Sequence, residues 1–443
     1  MELDSTMLAR ILTGITLGFH IIFAALGVGI PLVISIAEFI GIRKKDKQYT
    51  LMARRWTRGY VVTVAVGVVT GTCIGLQLNL LWPSFMQLAG EVIALPLFLE
   101  TFAFFFEAIF LGIYIYTWDR FKNPYIHWLI SIPVVVGSTA SAFFIMTVNA
   151  FMNTPQGFTM VDGVLRDIQP LGAMFNPATH SKVGHMVFST YSTAAFTLAA
   201  IAAMSLIKGK KHSYHKKALH FTLTLAFIFS MGTALYGDIA GKFLAKYQPA
   251  KLAAAEWHFD TKGEAELILG GVLNKETQEV KYAIEIPYAL SILATNKPSG
   301  EVIGLNDIPK SEWPPLFIHY LFDSMVAIGS YMILVPVLYF AIVKIRKRKP
   351  KKWILWATVA GSPLAFLAIE LGWVFAEIGR QPWILVGYMK TSHAATTADN
   401  VGQMLILFLL LYAFLGIFCS GVLLKMFRDK PVEIELEKYG KEE

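Results

Sequence analysis

The chain has 443 residues, of which 55% are hydrophobic and 16% are charged, and its formal net charge is +8. Average globular domains carry about 25% charged residues. Here the apolar residues collect in runs long enough to cross a bilayer, which takes about 20 residues. This composition excludes a soluble domain and predicts an all-α polytopic membrane protein.

Nine apolar runs follow one another and predict nine transmembrane helices. They are 11–40, 59–82, 92–117, 125–148, 183–206, 218–241, 314–343, 353–376 and 400–425. We expect the first run to be a transmembrane helix and not a cleaved signal peptide, because it is too long and has no basic flank before it.

Basic residues in the connections orient these helices. Lysine and arginine cluster in 41–58, 207–217 and 344–352, which share one side if there are nine spans, whereas 83–91 has neither. The positive-inside rule then predicts an external N-terminus and a cytoplasmic C-terminus. Membrane topology and lipid headgroups account for the basic clusters, so nucleic-acid binding is not expected.

The predicted organisation has four parts. Residues 1–241 carry helices one to six, 242–313 form a long outer loop, 314–427 carry helices seven to nine, and 428–443 form a cytoplasmic tail. Loops longer than about 15 residues are usually functional or disordered. The two cysteines lie in apolar runs without a CxxC or CxxCH motif, so neither a disulfide nor covalently attached haem is predicted.

Ionisable residues inside the predicted helices are functional candidates, because burying them in a membrane is costly. Glu100 and Glu107 are seven residues apart and therefore share one face of the third helix. With the predicted topology, His20, Glu100, His185 and Glu377 lie in the outer half of the membrane. Four helices that contribute to one depth predict a common site.

Two interpretations of these residues stay open from their chemistry alone. A buried histidine is either a hydrogen-bonded core residue or a ligand, and imidazole and methionine are both haem ligands. A pair of carboxylates on one face suits proton delivery. The same pair could instead be protonated, hydrogen-bonded acids that serve packing.

Two motifs carry a family resemblance. The sequence GRQPW at 379–383, with Glu377 and Trp373 before it, resembles the signature of subunit I of cytochrome bd-type quinol oxidases. The sequence KLAAAE at 251–256 resembles the element of that family's quinol-binding loop, the Q-loop, here in its shorter version.

Further matches extend the resemblance from about residue 8 to 425. Arg10 followed by His20 resembles the family's first helix, Glu100 and Glu107 resemble its two acids in the third, and VNAFMNTP at 148–155 resembles the end of its fourth. The two acids are usually spaced slightly differently. Many relatives also have an arginine two positions before the axial methionine, where this chain has Asp323.

The resemblance implies two b-type haems, one low-spin and one high-spin, and one haem d. His185 and Met325 would be the axial ligands of the low-spin haem. His20 and Glu377 would be the protein ligands of the other two haems, without an individual assignment, and Glu100 would lie beside them.

The resemblance also implies roles for the remaining site residues. Lys251 and Glu256 would contact quinol, with Glu256 a proton acceptor, and Glu107 would belong to a proton path. Four residues would contact the haems, with guanidinium groups pairing with propionates: Arg10, Trp373, Arg380 and Gln381. Ser138, Thr139 and Ser141 either extend the proton path or allow close helix packing.

The implied function is a terminal oxidase of the bacterial cytoplasmic membrane that oxidises quinol outside and reduces O₂ to water. It would generate a proton motive force by charge separation without pumping. The implied partners are a second large membrane subunit and a small single-helix one. A proton-coupled secondary transporter is the alternative, but it leaves GRQPW and KLAAAE unexplained.

Overall fold

The computed structural model describes residues 4–441 of the chain. Within this range nine helices are long and apolar enough to cross a membrane. They are α1 (Ser5–Lys44), α2 (Lys47–Leu81), α3 (Pro83–Tyr116), α4 (Pro124–Asn153), α6 (Thr179–Ile207), α7 (Ser213–Tyr247), α10 (Ile318–Phe340, extended by a π-helical turn to Ile345), α11 (Lys352–Ile378) and α13 (Val401–Asp429). The all-α prediction with nine spans is confirmed.

Five short α-helices, two 3₁₀ turns (Leu305–Asp307 and Lys310–Glu312) and four pairs of short strands complete the described chain. The helices are α5 (Pro170–Met174), α8 (Pro249–Ala255), α9 (Ala289–Thr295), α12 (Thr391–Ala394) and α14 (Val432–Lys441). The strands pair antiparallel as β1 (Thr159–Val161) with β2 (Val164–Arg166), β3 (Leu267–Leu269) with β6 (Ile284–Ile286), β4 (Val272–Leu273) with β5 (Val280–Lys281), and β7 (Trp383–Leu385) with β8 (Met389–Lys390).

The helices extend beyond several of the predicted apolar runs. Helix α2 begins at Lys47, in the basic segment, and α7 continues to Tyr247, past the predicted start of the outer loop at 242. Backbone hydrogen bonding continues a helix without apolar side chains, so polarity does not mark its end. Side-chain caps mark some of the helix starts, as where Asp46 accepts a hydrogen bond from the Gln48 backbone N–H at 3.1 Å.

The bundle has two faces with different chemistry. The basic face holds the ends of the helices at residues 44–47, 116–124, 207–213, 345–352 and 429, together with α14. The loop face holds the opposite helix ends and the segments 154–178, 248–317 and 379–400. Helices α6 and α7, α1 and α2, and α3 and α4 pack as neighbours, while α11 packs on both α6 and α10.

The long loop of the loop face is folded. Its apolar residues form one core with α11 and the start of α10, including Trp257, Phe259, Leu290, Leu305 and Phe375. Folding buries α8, which carries the KLAAAE motif, under the rest of the loop. The loop therefore holds its motif in a fixed position over the membrane-spanning helices.

Candidate functional site

The GRQPW and KLAAAE motifs meet at the C-terminal end of α11. The Lys251 ammonium donates a hydrogen bond to the Ala376 carbonyl at 3.0 Å. Gly379 follows α11, and a Cβ at its position would lie 2.7 Å from Lys251 Cε. The same Cβ would lie 2.6 Å from the Phe375 carbonyl oxygen, so a side chain at 379 would clash with the backbone of α11 as well as with the lysine stem.

A carboxylate lies among cations at this junction. Glu377 accepts hydrogen bonds from the Asn149 amide at 2.8 Å and from the Arg380 guanidinium at 2.5 Å. Lys182 donates to the other end of the Asn149 amide at 3.0 Å. Burial, with the charges of Lys182 and Arg380, lowers the pKa of Lys251 well below its usual range, although Glu377 opposes this shift.

The cation cluster fits an anionic ligand. Arg380 is buried, and its Nε and Nη1 atoms have no hydrogen-bond partner among residues 4–441. Unpaired buried donors are costly, and a guanidinium pairs well with carboxylates. Three basic side chains, those of Arg380, Lys182 and Lys251, around the single carboxylate of Glu377 therefore suit a cofactor with acidic substituents, such as the propionates of haem.

Hydrogen bonds set the tautomers of both predicted histidine ligands. His185 Nδ1 lies 3.1 Å from the Thr233 carbonyl oxygen, which only accepts, so Nδ1 carries the hydrogen. His20 Nδ1 lies 2.9 Å from Thr70 Oγ1, whose hydroxyl donates to the Val66 carbonyl at 2.9 Å. In both rings Nε2 is left with its lone pair, which is the form that binds a metal.

The two predicted acids of α3 face different neighbours. Glu100 Oε1 accepts a hydrogen bond from Ser141 Oγ at 2.9 Å, and buried Glu107 accepts one from the Tyr60 hydroxyl. Ser138 instead donates to its own helix at the Val135 carbonyl, and Thr139 bonds to Tyr191. Of the three predicted hydroxyl groups, only Ser141 contacts a site acid.

Glu256 follows α8 and is 1% exposed. Neither of its carboxylate oxygens has a hydrogen-bond partner within the described part of the chain. Burial, assisted by the charge of Asp323, raises the pKa of Glu256 to about 8. An acid of this kind is a stronger base than an ordinary glutamate, and it is free to bond with a ligand.

Comparison with known proteins identifies the family. The model of the cytochrome bd terminal oxidase subunit I family matches residues 8–431. The chain belongs to this family. It is a multi-pass subunit of a quinol:O₂ oxidoreductase in the bacterial cytoplasmic membrane, with haem cofactors and a partner subunit. The transporter alternative is therefore set aside.

Individual relatives match the oxidase over nearly its whole length. The structure of bd oxidase from Geobacillus thermodenitrificans has a TM-score of 0.93 and 61% identity, covering 97% of this chain and 99% of that one. A candidate cytochrome bd menaquinol oxidase subunit I of Bacillus subtilis (strain 168) is 44% identical, covering 98% and 99%. A cytochrome bd ubiquinol oxidase subunit 1 of the same strain is 31% identical, covering 94% and 92%.

Asp323, which replaces the arginine of many bd oxidases, holds the long loop. Its Oδ2 accepts the Gly270 N–H at 2.5 Å and lies 3.2 Å from His319 Nε2. His319 Nδ1 lies 2.7 Å from the Ala255 carbonyl and Nε2 lies 3.0 Å from the Gly270 carbonyl. Both ring nitrogens of His319 therefore face backbone carbonyl oxygens, and the Asp323 carboxylate lies beside Nε2.

The other residues predicted to contact haem in this oxidase are Arg10, Trp373 and Gln381. Arg10 is exposed on α1, and Trp373 is partly buried on α11, four residues before Glu377. Gln381 Nε2 lies 3.5 Å from the Glu377 carbonyl, which is at the limit of a hydrogen bond. Contacts between these side chains and haem stay a prediction.

Sequence reasoning missed three ionisable residues at the site. Lys182 precedes His185 by three residues, and His319 precedes Asp323 by four. In each pair, this spacing places the two residues on one face of their helix. Glu370 lies seven residues before Glu377, and its Oε1 is buried without a partner in the described chain. All three lie in or beside apolar runs, and an ionisable residue in such a position is the sequence signal that identifies a candidate site residue.

Proposed function

We propose that the chain oxidises quinol at its loop face and reduces O₂ to water, and that separating these two reactions charges the membrane without a pump. The observation that carries this proposal is the contact between Lys251 of the quinol-loop motif and the end of α11, where Glu377 lies. A substrate beside Lys251 would be next to a proposed haem ligand.

The cofactors would be two b-type haems, one low-spin and one high-spin, and one haem d. His185 and Met325 would ligate the low-spin haem, and His20 and Glu377 the other two. When bound, the haems would supply one-electron transfer and an iron for O₂. The chain's part is to present ring nitrogens in the binding tautomer and to neutralise acidic substituents with Arg380, Lys182 and Arg10.

Two observations support ligation by His185 and Met325. Helices α6 and α10, which carry them, both pack against α7 and α11. Met325 Sδ lies 3.0 Å from the place a Cβ would take at Gly372 of α11. A bulky residue at 372 would displace the sulfur, so glycine there keeps the methionine in place.

Quinol oxidation would use the groups of the folded loop. Lys251 would bind a quinol oxygen, and Glu256 would accept a proton from the hydroxyl, because a base with a pKa near the working pH transfers protons most effectively. The relative at 44% identity favours menaquinol as the substrate. The part of the chain between 242 and 313 would then be the quinol-binding loop.

The orientation follows from the basic face, which we place in the cytoplasm. For each O₂, two quinols would release four protons and four electrons at the loop face. Four protons would enter from the basic face to form two water molecules. The partners would be a second large membrane subunit and a small single-helix subunit, with Glu107 and Glu100 on the proton path.

The purified complex, reduced with dithionite, tests the cofactor proposal by its visible spectrum. We expect b-type bands and a red chlorin band, together with quinol-dependent O₂ consumption. A spectrum that lacks the chlorin band would overturn the haem d assignment, and one that lacks every haem band would overturn the oxidase site.

A further inference from the structure

Helix α3 carries a third polar residue in line with the two predicted acids. Glu100, Glu107 and Tyr114 follow at intervals of seven residues and therefore share one face. At 1.5 Å per residue, successive members are about 10 Å apart. Tyr114 lies two residues before the helix ends at Tyr116 on the basic face. The line thus runs from the basic face to the depth of Glu100.

A buried cluster stands at the basic end of this line. The Tyr114 hydroxyl donates to Glu38 Oε2 at 2.6 Å, and His127 Nδ1 lies 2.6 Å from Glu38 Oε1. His127 Nε2 lies 2.9 Å from the Tyr114 carbonyl oxygen. All three residues are at most 3% exposed, and they come from α1, α3 and α4.

The hydrogen bonds leave one proton shared within the cluster. The Tyr114 carbonyl only accepts, so His127 Nε2 carries a hydrogen. The contact between Nδ1 and Glu38 then holds a single proton, either on the carboxyl group or on the imidazole ring. A buried acid–histidine pair adds little to stability, since its desolvation offsets its attraction. The pair and Tyr114 instead form one hydrogen-bonded chain of a carboxyl group, an imidazole ring and a phenol.

A small cavity lies between Tyr114 of this cluster and Tyr60, which bonds to Glu107. Its lining includes the polar residues Thr57, Tyr60, Tyr114 and Ser131, and it has room for about one water molecule. Tyr60 is on the far side of the cavity and donates its hydroxyl hydrogen to Glu107. A water in this cavity would have hydroxyl partners from both ends.

We infer that the Glu38–His127 pair, with Tyr114, is the proton-uptake station of the basic face and that it supplies Glu107 through the cavity water and Tyr60. The Tyr114 hydroxyl passes its proton to the water and takes one from the Glu38–His127 pair, the water passes one to the Tyr60 oxygen, and the Tyr60 hydroxyl proton moves to the Glu107 carboxylate. The pair then takes a new proton from the aqueous phase. This inference rests on the proposed function, in which Glu107 lies on the proton path.

The test uses the whole complex in proteoliposomes and compares Glu38→Gln, His127→Gln and Tyr114→Phe with the parent. We expect the first two to slow proton uptake and O₂ consumption at least tenfold, and Tyr114→Phe about threefold. Haem reduction by quinol without O₂ should keep its rate in all three. A merely structural role would not slow proton uptake while sparing electron transfer.

The matched control is His215→Gln. His215 is also a buried histidine near the basic face and also contacts a glutamate, Glu433, at 3.4 Å, but it lies on α7. We expect its proton uptake to equal that of the parent. If Glu38→Gln fails to retain haem, proton uptake in His127→Gln and Tyr114→Phe tests the inference. Tyr114→Phe removes only an oxygen atom and is the variant expected to disturb the fold least.

Glu107→Gln separates the two ways in which the inference could fail. If it slows proton uptake while the three cluster variants match the parent, protons reach Glu107 by another route and the inference is wrong. If Glu107→Gln also matches the parent, the proposed path through α3 is itself wrong. Slow proton uptake in Glu107→Gln and in the three cluster variants supports both the inference and the proposed path through α3.

Discussion

The buried ionisable groups at the two faces of the bundle are satisfied in different ways. At the loop face, two nitrogens of Arg380 and both carboxylate oxygens of Glu256 are buried without partners in the described chain. Toward the basic face, Glu38, Tyr114 and His127 bond to one another. Unpaired buried groups cost free energy unless a ligand completes them. The loop face is therefore built to receive ligands, and the basic face to hold its charges and protons within the protein.

The largest expected effect comes from breaking the loop-face site at a proposed haem ligand. We expect Met325→Leu, which keeps the volume but removes the sulfur, to abolish the low-spin b-type signal and lower quinol oxidation on the order of 100-fold. The chlorin signal should persist. Reduced-minus-oxidised spectra of the purified complex measure both.

Met332→Leu is the control, because Met332 is a buried methionine on the same helix, α10. Its spectrum should match that of the parent. An unchanged low-spin signal in Met325→Leu would remove Met325 from the ligand set.

The second-largest expected effect tests whether Glu256 is the base that accepts a proton from quinol. Only the carboxylate accepts a proton, and with a pKa of about 8 roughly a tenth of it is ionised at pH 7. Quinol oxidation should therefore rise between about pH 6.5 and 8.5. We expect Glu256→Gln to lower the rate about tenfold and to remove this rise, with haem content intact.

Stopped-flow reduction by quinol across the pH range measures this prediction. Glu266→Gln is the control: Glu266 lies in the same loop, but it is paired with Lys262 at 2.7 Å and its pKa is lowered. A pH profile that keeps its rise in Glu256→Gln would assign the base to another group.

The third-largest expected effect tests whether the cation cluster around Glu377 faces a haem. Lys182→Met keeps the stem of the side chain and removes one of the basic groups around Glu377. Loss of a nearby positive charge favours the oxidised haem, so we expect the midpoint potential of at least one haem to fall by on the order of 50 mV. Redox titration of the complex measures the shift.

Lys242→Met is the matched control, because Lys242 also lies on a membrane-spanning helix, α7, but pairs with Asp238. The potentials of all haems should be unchanged in it. Equal potentials in Lys182→Met and the parent would show that the cluster does not face a haem.

How far the sequence predicts this molecule depends on the kind of signal. The nine spans follow from hydropathy, and the GRQPW and KLAAAE motifs are recognised directly in the amino-acid sequence. The contact of Lys251 with Ala376 is not, because it depends on how α8, directly after α7, packs against the end of α11. Likewise the spacing of His319 and Asp323 is visible, but their partners are backbone carbonyl and N–H groups, which leave no trace in the sequence.

The smallest effect concerns the basic face and the C-terminal helix α14. Glu435 bonds to Arg55 and Arg58 in the N-terminal part of α2, and Val432 is buried. Burial alone would raise the pKa of Glu435, but hydrogen bonds from Arg58 and Arg55 lower it. This stabilisation is therefore present above the unfolded pKa of about 4.5 and is lost as the pH falls through the folded value.

We expect Glu435→Gln to release α14 at pH 7, so that backbone amides of residues 432–437 exchange with deuterium about tenfold faster. Quinol oxidation and all haem signals should stay within about twofold of the parent, because these contacts complete no ligand site. Glu437→Gln, at an exposed position of the same helix, should leave exchange unchanged. Loss of a haem signal in Glu435→Gln would mean that the paired groups of the basic face also support cofactor binding, and the distinction between the two faces would fail.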